Sequence, residues 1–227
     1  MKTLIQIRDL NIGHKERILF NSVSFDIREG ECIMLCGANG SGKTTLMKTI
    51  AAGADGISYA EGCVTVMIPS RIPKVKGFTI KEFVRISCYN QSDMGGRLSK
   101  DQEELLEDAL ERMGLKHLAD RDISTLSDGE FQKAGIASAL VRKAAVIMLD
   151  EPTAFLDAEN RISVLQTLRK LCSGQTDRER PAIIFSTHDL QDGIAVADKV
   201  IALGADGELR CEEKDLEAAV RTIFHQT

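Results

Sequence analysis

The sequence predicts an α/β fold with a mostly parallel sheet, an N-terminal antiparallel β segment and an inserted helical subdomain. From Ala145 onward, short apolar runs alternate with stretches of helical periodicity, which is the order that gives a parallel sheet with helices on its faces. The apolar run Glu31–Cys36 leads directly into a glycine-rich stretch and another helical pattern. A chain of 227 residues is short enough for one domain. We therefore expect a single domain, residues 1–227.

The N-terminal residues have the alternating pattern of β-strands. Two segments, Thr3–Leu10 and Ser22–Ile27, flank a polar turn around Gly13-His14-Lys15. The next strand, Glu31–Cys36, is almost wholly apolar, as expected when both faces of a strand are covered. A further short strand is predicted over Cys63–Ile68.

Residues 78–143 are predicted to be helical and to form the inserted subdomain. Thr79 and Ser99 are each followed three residues later by Glu or Gln, the capping-box spacing that starts a helix. Leu106, Leu110 and Met113 then share one face of the second helix.

The last third of the chain returns to alternating strands and helices, which should extend the parallel sheet. The predicted strands are Val146–Leu149, Ala182–Ser186 and Val200–Leu203, and the predicted helices cover Ala158–Leu171 and begin again at Leu190.

The composition excludes several classes of protein. Hydrophobic residues at 43% and charged residues at 28% are typical of a globular chain. The net charge of −5 leaves no basic excess to neutralise phosphates, so we expect no nucleic-acid partner. The longest apolar run, Ala144–Leu149, is far shorter than the roughly 20 residues of a membrane span. The six cysteines form no C-x-x-C pair, and the N-terminus lacks a signal-peptide pattern, so we expect an intracellular protein without disulfides.

A phosphate-binding motif follows the third predicted strand. Residues 37–44 fit the pattern G-x-x-x-x-G-K-[ST], in which glycines let backbone N–H groups converge on phosphate oxygens at a helix N-terminus. A helix through Ile50 completes the pattern. Lys43 is predicted to neutralise the β- and γ-phosphates, and the Thr44 hydroxyl to ligate Mg²⁺. The predicted nucleotide-binding residues are Gly37, Ala38, Asn39, Gly40, Ser41, Gly42, Lys43, Thr44 and Thr45.

Two acidic residues, Asp150 and Glu151, end the apolar strand Val146–Leu149. Their position is the carboxyl edge of a parallel sheet, where ligands of such folds bind. Asp150 is predicted to hold Mg²⁺ through water, and Glu151 to polarise the water that attacks the γ-phosphate.

Three further motifs carry a resemblance to a known family. Leu126-Ser127-Asp128-Gly129-Glu130 resembles the LSGGQ signature of ATP-binding cassette (ABC) ATPases. The run Asp150–Asp157, DEPTAFLD, resembles the Walker B motif and D-loop of that family, and Ser186–Asp189 resembles its switch histidine. The resemblance implies a P-loop NTPase fold of ABC type. The variants LSDGE and DEPTAFLD are most similar to ATPases of importers for iron–siderophore complexes, haem or cobalamin.

The resemblance also implies roles for residues of the signature and the D-loop. Ser127 and Gly129 would contact the γ-phosphate of ATP held by the P-loop of the other subunit. Ser127 also has capping-box spacing to Glu130, and both roles can coexist. Asp157 of the D-loop would be a further ATP-binding residue.

Two histidines have roles that the resemblance implies. His188 would hydrogen-bond the γ-phosphate and orient the attacking water, which places it with Glu151 and Lys43 as catalytic residues. His14 falls where family members carry an aromatic residue that stacks on adenine; an imidazole can stack as well, and a plain turn histidine is the alternative.

One position departs from the family pattern. The strand Val64–Ile68 should lead to a glutamine that senses Mg²⁺ and water, and here Ser70 stands in that region. Because serine is shorter, we expect Ser70 to reach the metal only through a bridging water. The basic residues nearby are expected to form a solvated loop: Arg71, Lys74, Lys76 and Lys81.

The sequence thus predicts an ATP-hydrolysing subunit that powers an ABC membrane transporter, with ATP and Mg²⁺ bound. The resemblance implies an ATP-dependent, head-to-tail homodimer. It also implies transmembrane permease subunits docked near Gly77–Asn90, and a peripheral location on the cytoplasmic face of the inner or plasma membrane. A soluble ABC ATPase with a cluster-assembly or scaffold role is the alternative.

Overall fold

The computed structural model describes residues 1–14, 17–88, 98–174, 180–204, 208–213, 215–217 and 220, with His14 and Arg17 described by backbone alone. The chain divides into two compact units. The first contains Met1–Ser70, Ala145–Ala154 and Leu165–Thr227, and the second contains Arg71–Ala144 and Phe155–Val164. The second unit takes in the predicted insertion, residues 78–143, and also residues 155–164, which the prediction leaves out.

The helices and strands of the described residues follow one another in an order close to the predicted one. The strands are β1 (Thr3–His14), β2 (Arg17–Arg28), β3 (Cys32–Gly37), β4 (Ile57–Tyr59), β5 (Thr65–Ile68), β6 (Val146–Leu149), β7 (Ala182–Ser186), β8 (Lys199–Leu203) and β9 (Leu209–Glu212). The helices are α1 (Lys43–Ala52), α2 (Ile80–Ile86), α3 (Lys100–Arg112), α4 (Asp128–Val141), α5 (Ala158–Ser173) and α6 (Leu190–Val196).

The larger sheet of the first unit has, among the described residues, six strands in the order β5–β6–β7–β3–β8–β9. The first five are parallel to their neighbours, and β9 alone runs antiparallel, against β8. The prediction of a mostly parallel sheet is confirmed. Every residue of β3, β6, β7 and β8 is buried, because helices and the smaller sheet of such a fold cover both faces of its central strands.

The smaller sheet is antiparallel and has the order β2–β1–β4, which confirms the predicted N-terminal segment. The predicted strands Thr3–Leu10 and Ser22–Ile27 are too short, because pairing between β1 and β2 continues to His14 and Arg17. Gly13 and His14 therefore belong to β1 and not to a turn. The backbone hydrogen bonds of a hairpin do not require apolar side chains, so the pairing runs on beyond the alternating pattern.

Two short strands, β4 and β9, were not predicted, and β5 begins at Thr65 where Cys63 was expected. Neither β4 nor β9 has a fully buried residue, so neither has the hydrophobic pattern by which a strand is identified.

The second unit is built on three helices with capping boxes at their N-termini. The side chains of Thr79, Ser99 and Ser127 each accept a hydrogen bond from the backbone N–H three residues further on. The side chain at that later position accepts a hydrogen bond from the backbone N–H of the capping residue. These boxes include both that were predicted for the insertion. The apolar face predicted for α3 is buried: Leu106, Leu110 and Met113.

The helices offer no membrane-spanning segment in the part of the chain that the structure describes, since each is too short or too polar to cross a bilayer.

Candidate functional site

The strand order of the larger sheet brings the predicted site residues of the first unit to one edge. β5, β6, β7 and β3 lie side by side and run parallel, so their carboxyl ends meet at the same edge. The residues that follow these ends are Ser70 after β5, Asp150 and Glu151 after β6, Thr187 and His188 after β7, and the glycine-rich loop after β3.

The glycine-rich loop closes tightly around its own lysine. Lys43 Nζ donates hydrogen bonds to the carbonyl oxygens of Gly37, at 2.9 Å, and Ala38, at 3.1 Å. A Cβ atom on Gly37 would lie 2.7 Å from the carbonyl oxygen of Leu203 on β8, closer than such atoms can approach. Gly42, at the N-cap of α1, has φ of 104°, a left-handed conformation that favours glycine. The backbone conformation of the loop therefore requires glycine at the first and last glycine positions of the motif, Gly37 and Gly42.

The charge of Lys43 is held in a poorly solvated place. The residue is 6% exposed. Burial lowers the pKa of its ammonium, while Glu151, Asp150 and Cys36 oppose that effect. An anion beside the ammonium would relieve this cost.

An open cavity of about 210 Å³ lies over the loop. Most of the predicted P-loop residues line it, together with one predicted catalytic acid; Gly37, Ala38 and Ser41 do not. The lining also includes Leu19 of β2, which sequence reasoning missed, because no motif marks it and only the fold brings β2 beside the loop. The lining residues are Leu19, Asn39, Gly40, Gly42, Lys43, Thr44, Thr45 and Glu151.

Asp150 is held by two hydroxyl groups. Thr44 Oγ1 donates to Asp150 Oδ2 at 2.8 Å, and Ser186 Oγ donates to Asp150 Oδ1 at 2.9 Å. Ser186 Oγ in turn accepts from the backbone N–H of Glu151 at 2.8 Å. Ser186 is fully buried at the end of β7. The sequence shows that Ser186 precedes the predicted switch histidine, but it does not indicate that Ser186 hydrogen-bonds Asp150 and the Glu151 backbone.

The donor set at this edge fits Mg²⁺ bound together with phosphates. The described residues contain no cluster of three His, Cys, Asp or Glu side chains that could hold a metal alone. A hydroxyl and a carboxylate that touch each other beside a phosphate loop are the oxygen ligands that Mg²⁺ accepts while keeping waters and substrate oxygens. Ser41 Oγ, buried in the loop, has no hydrogen-bond partner among the described residues.

Glu151 and His188 form a close pair. Oε1 of Glu151 lies 2.6 Å from Nε2 of His188, and their side chains are 30% and 48% exposed. Glu151 has φ of 50°, a conformation that costs a non-glycine residue energy and is often found at functional sites. The chain turns immediately afterwards, with the N–H of Ala154 donating to the Glu151 carbonyl at 3.0 Å.

Ser70 lies at the same sheet edge without entering the cavity. It is exposed and follows β5, whose last residue, Ile68, accepts a hydrogen bond from the N–H of Asp150 at 3.0 Å. Ser70 is not among the described residues that line the cavity. The side chain of His14 lies outside the described residues, so the predicted adenine contact stays a prediction.

The predicted signature residues lie in the second unit, at the start of α4. Ser127 Oγ accepts from the N–H of Glu130 at 3.2 Å, and Glu130 Oε2 accepts from the N–H of Ser127 at 2.8 Å. The Ser127 amide is thus engaged within the capping box. Gly129 is buried, and a Cβ atom there would lie 3.1 Å from Asn160 Oδ1. Glycine permits this close approach.

Asp157 caps α5 in the same unit. Its Oδ1 accepts from the backbone N–H of Asn160 at 2.8 Å, and its Oδ2 accepts from the Asn160 side chain at 2.9 Å. These bonds lower the pKa of Asp157 below its usual range. Asn160, which sequence reasoning missed, therefore contacts both the predicted D-loop residue and the Gly129 position.

Comparisons with known proteins show which family the chain resembles. The family model described as ABC transporter matches residues 20–154. The chain is 35% identical over 208 residues to the aliphatic sulfonates import ATP-binding protein SsuB 2 of Pseudomonas savastanoi pv. phaseolicola, covering 90% of this chain and 72% of that protein. It is 29% identical over 246 residues to the achromobactin transport ATP-binding protein CbrD of Dickeya dadantii, covering 98% and 88%.

A solved structure described as a metal-chelate type ABC transporter in an inward-facing conformation superposes with a TM-score of 0.85. Its sequence is 23% identical, and the alignment covers 99% of this chain and 90% of that one. At this identity the likeness establishes the fold, which confirms the predicted P-loop NTPase fold of ABC type. The family model and the sulfonate relative establish more: the chain belongs to the ABC transporter family, whose ATP-binding subunits are ATPases.

Proposed function

We propose that the cavity of the first unit binds MgATP, with the phosphates on the loop of residues 37–45. The observation that carries this proposal is the buried ammonium of Lys43, whose hydrogen bonds go to two loop carbonyls. A bound β- and γ-phosphate would replace these neutral acceptors with charged ones, and so would stabilise the ammonium that burial disfavours. The backbone N–H groups of the loop and the N-terminus of α1 would hold the remaining phosphate oxygens.

Mg²⁺ bound with ATP would neutralise phosphate charge and polarise the γ-phosphate for attack. Thr44 is the residue proposed to bind it directly, through the hydroxyl that now donates to Asp150. Asp150, with both oxygens already engaged by hydroxyl donors, would hold it through water.

Glu151 is proposed as the general base for hydrolysis, and His188 as the residue that orients it. His188 Nε2 is close enough to Glu151 Oε1 to fix the carboxylate by a hydrogen bond, which leaves Oε2 to accept the proton of a water molecule. When ATP is bound, the exposed imidazole of His188 can also contact the γ-phosphate. Ser186 Oγ also fixes the backbone of Glu151, by accepting a hydrogen bond from its N–H.

The second unit is proposed to act on ATP held by another copy of the chain. Ser127 and Gly129 would contact that γ-phosphate, with Asp157 and Asn160 supporting the start of α4 through the Gly129 contact. Since one chain carries one P-loop and one signature, two copies in head-to-tail arrangement complete two sites. ATP binding would close this homodimer and hydrolysis would open it.

The chain is proposed to power a transporter through permease subunits bound near Gly77–Asn90, of which residues 89 and 90 lie outside the described part. Its membership of the ABC transporter family favours this function over the soluble cluster-assembly or scaffold role. In such a complex the chain would lie peripherally at the cytoplasmic face of the membrane, since the transmembrane path belongs to the permease.

We propose metal chelates as the transported class, in the import direction: iron–siderophore complexes, haem or cobalamin. The alignment with the achromobactin relative covers nearly all of both chains, and the solved structure with a matching fold is described as a metal-chelate type. The sulfonate relative has the higher identity, so aliphatic sulfonates are the second candidate.

The test is purification of the tagged chain from membranes, followed by uptake measurements. We expect a polytopic membrane protein to co-purify, and membrane vesicles containing both to accumulate labelled iron–siderophore complex when ATP is supplied. A complex with Lys43→Ala should retain the membrane protein and lose uptake. Accumulation of an aliphatic sulfonate instead would replace the solute assignment, and purification of the chain free of any membrane protein would support the soluble alternative.

A further inference from the structure

Lys74 holds the start of the signature helix in place. Its Nζ donates to the carbonyl oxygen of Leu126 at 2.9 Å and lies 2.6 Å from Asp128 Oδ1. The same ammonium sits 5.5 Å from the centre of the Phe131 ring, within the range of a cation–π contact. Lys74 was expected in a solvated loop, and its contacts with residues 126–131 correct that expectation.

The negative charge of Asp128 explains why a lysine at this position matters. In the signature of the family, glycine stands at the position of Asp128, so this chain has an added carboxylate at the first residue of α4. A negative charge there favours the helix, yet it opposes the approach of a phosphate to the same helix N-terminus. The side chain of Asp128 is 62% exposed, so its charge is open to solvent and to an approaching phosphate.

The segment that carries Lys74 has a second attachment in the same unit. The guanidinium of Arg71 lies 4.7 Å from the centre of the Phe155 ring, two residues before Asp157. The chain from Arg71 to Lys74 therefore contacts both the start of α4 and the stretch that leads into α5, which are the two pieces of the second unit that carry predicted ATP contacts.

We propose that Lys74 is a positioning residue that neutralises Asp128, so that the signature of one copy can receive the γ-phosphate held by another. The inference rests on the proposed function, because it needs ATP between two copies of the chain. Lys74 touches the signature and not the nucleotide. Its removal would leave the Asp128 carboxylate, at the N-terminus of α4, without a counter-charge when a phosphate approaches.

A double variant of Lys74 and Asp128 distinguishes charge compensation by Lys74 from a purely structural role. An ion pair this exposed contributes little to folding stability, so the variants should fold normally. If Lys74 acts by charge compensation, removing the Asp128 charge as well should restore function. If it acted only by packing or by its bond to Leu126, the second change would restore nothing.

The experiment uses the full chain in a Glu151→Gln background, which is expected to trap the ATP-bound dimer, and measures dimerisation by sedimentation at increasing ATP. We expect Lys74→Met to weaken ATP-dependent dimerisation by about tenfold or more, the change that loss of a charged contact produces. Lys74→Arg should stay within about threefold of the parent, since it keeps the charge. Lys74→Met/Asp128→Asn should return to within about threefold as well.

Lys76→Met is the matched control, because Lys76 is an exposed lysine of the same segment. It should leave dimerisation within about twofold of the parent. The affinity of monomeric Lys74→Met for MgATP, measured by calorimetry, should also stay within about twofold, since the P-loop is unchanged. Thermal unfolding of each variant checks that it is folded.

The outcomes separate this inference from the proposed function. If the Glu151→Gln parent fails to dimerise with ATP, the proposed function is wrong and the inference fails with it. If the parent dimerises and Lys74→Met does so equally well, the inference alone is wrong. A folded double variant as impaired as Lys74→Met would also overturn it, because charge compensation would then play no part.

Discussion

The Nε2 atom of His188 lies 2.6 Å from the Oε1 atom of Glu151, and the two residues follow neighbouring parallel strands, β7 and β6. A contact this short needs a proton between the two atoms, so the imidazole and the carboxylate orient each other. Both side chains remain partly exposed. The pair is therefore fixed in direction and still open to a water molecule and a γ-phosphate.

Glu151→Gln should greatly slow ATP hydrolysis while leaving ATP affinity unchanged. The amide keeps the shape of the side chain but cannot accept a proton, so we expect the rate of ATP hydrolysis to fall by a factor on the order of 10² or more. An ATP-bound dimer should accumulate. Phosphate release and sedimentation would be measured together, with Glu61→Gln, an exposed acid in a turn, as the control. Steady turnover near the wild-type rate would exclude Glu151 as the base.

Lys43→Ala should weaken ATP binding. The backbone of the loop remains, but the ammonium that faces the β- and γ-phosphates is lost, and we expect affinity for MgATP to fall about tenfold or more. Lys48→Ala is the matched control, since Lys48 is exposed on the same helix, α1. Titration calorimetry with both variants gives the comparison. Equal affinities would show that the loop does not hold the phosphates.

Much of the fold was predictable because strong local patterns mark its central strands. Val146–Leu149 and Ala182–Ser186 are observed with their predicted bounds, since buried parallel strands are continuously apolar. The strand β4 could not be found in this way, because its three residues are only partly buried or exposed and it depends on pairing with β1.

The placement of the candidate site residues was predictable where a motif marks them and unpredictable where distant segments meet. The spacing of the P-loop and the acids after β6 located Lys43 and Asp150. Leu19 and Asn160 reach their positions only through folding, and no local signal marks them. For Ser186 the sequence shows its place before the predicted switch histidine, but not its hydrogen bonds with Asp150 and Glu151. Lys74 shows the limit most clearly: its sequence context indicates a solvated loop, while its partner Asp128 lies more than fifty residues further along the chain.

The capping box of α4 should make stability depend on pH at the acidic end. The backbone N–H of Ser127 lowers the pKa of Glu130 below its usual value of 4.5. The ionised carboxylate of Glu130 therefore stabilises the fold above pH about 4.5, and this stabilisation is lost as pH falls through the lowered pKa. We expect Glu130→Gln, which keeps the box geometry, to lose less stability than wild type on acidification below that pH.

Chemical denaturation at a series of pH values from neutral to acidic measures this difference. Glu159→Gln is the control, because Glu159 is an exposed acid in the first turn of another helix, α5. It should follow the wild-type profile. Parallel profiles for Glu130→Gln and wild type would show that the carboxylate charge adds nothing to the cap.

Thr44 and Ser70 should differ sharply in their importance for Mg²⁺. Thr44 Oγ1 is 2.8 Å from Asp150 and lines the cavity, whereas Ser70 is exposed at the sheet edge and would reach the metal only through water. We expect Ser70→Gln to change MgATP turnover by less than about tenfold, and Thr44→Ala to be far more damaging, with a higher Mg²⁺ requirement. Turnover of both variants, and of Ser70→Ala, would be measured across Mg²⁺ concentrations. If Ser70→Ala abolishes activity as fully as Thr44→Ala, Ser70 is a direct ligand and the water-mediated assignment is wrong.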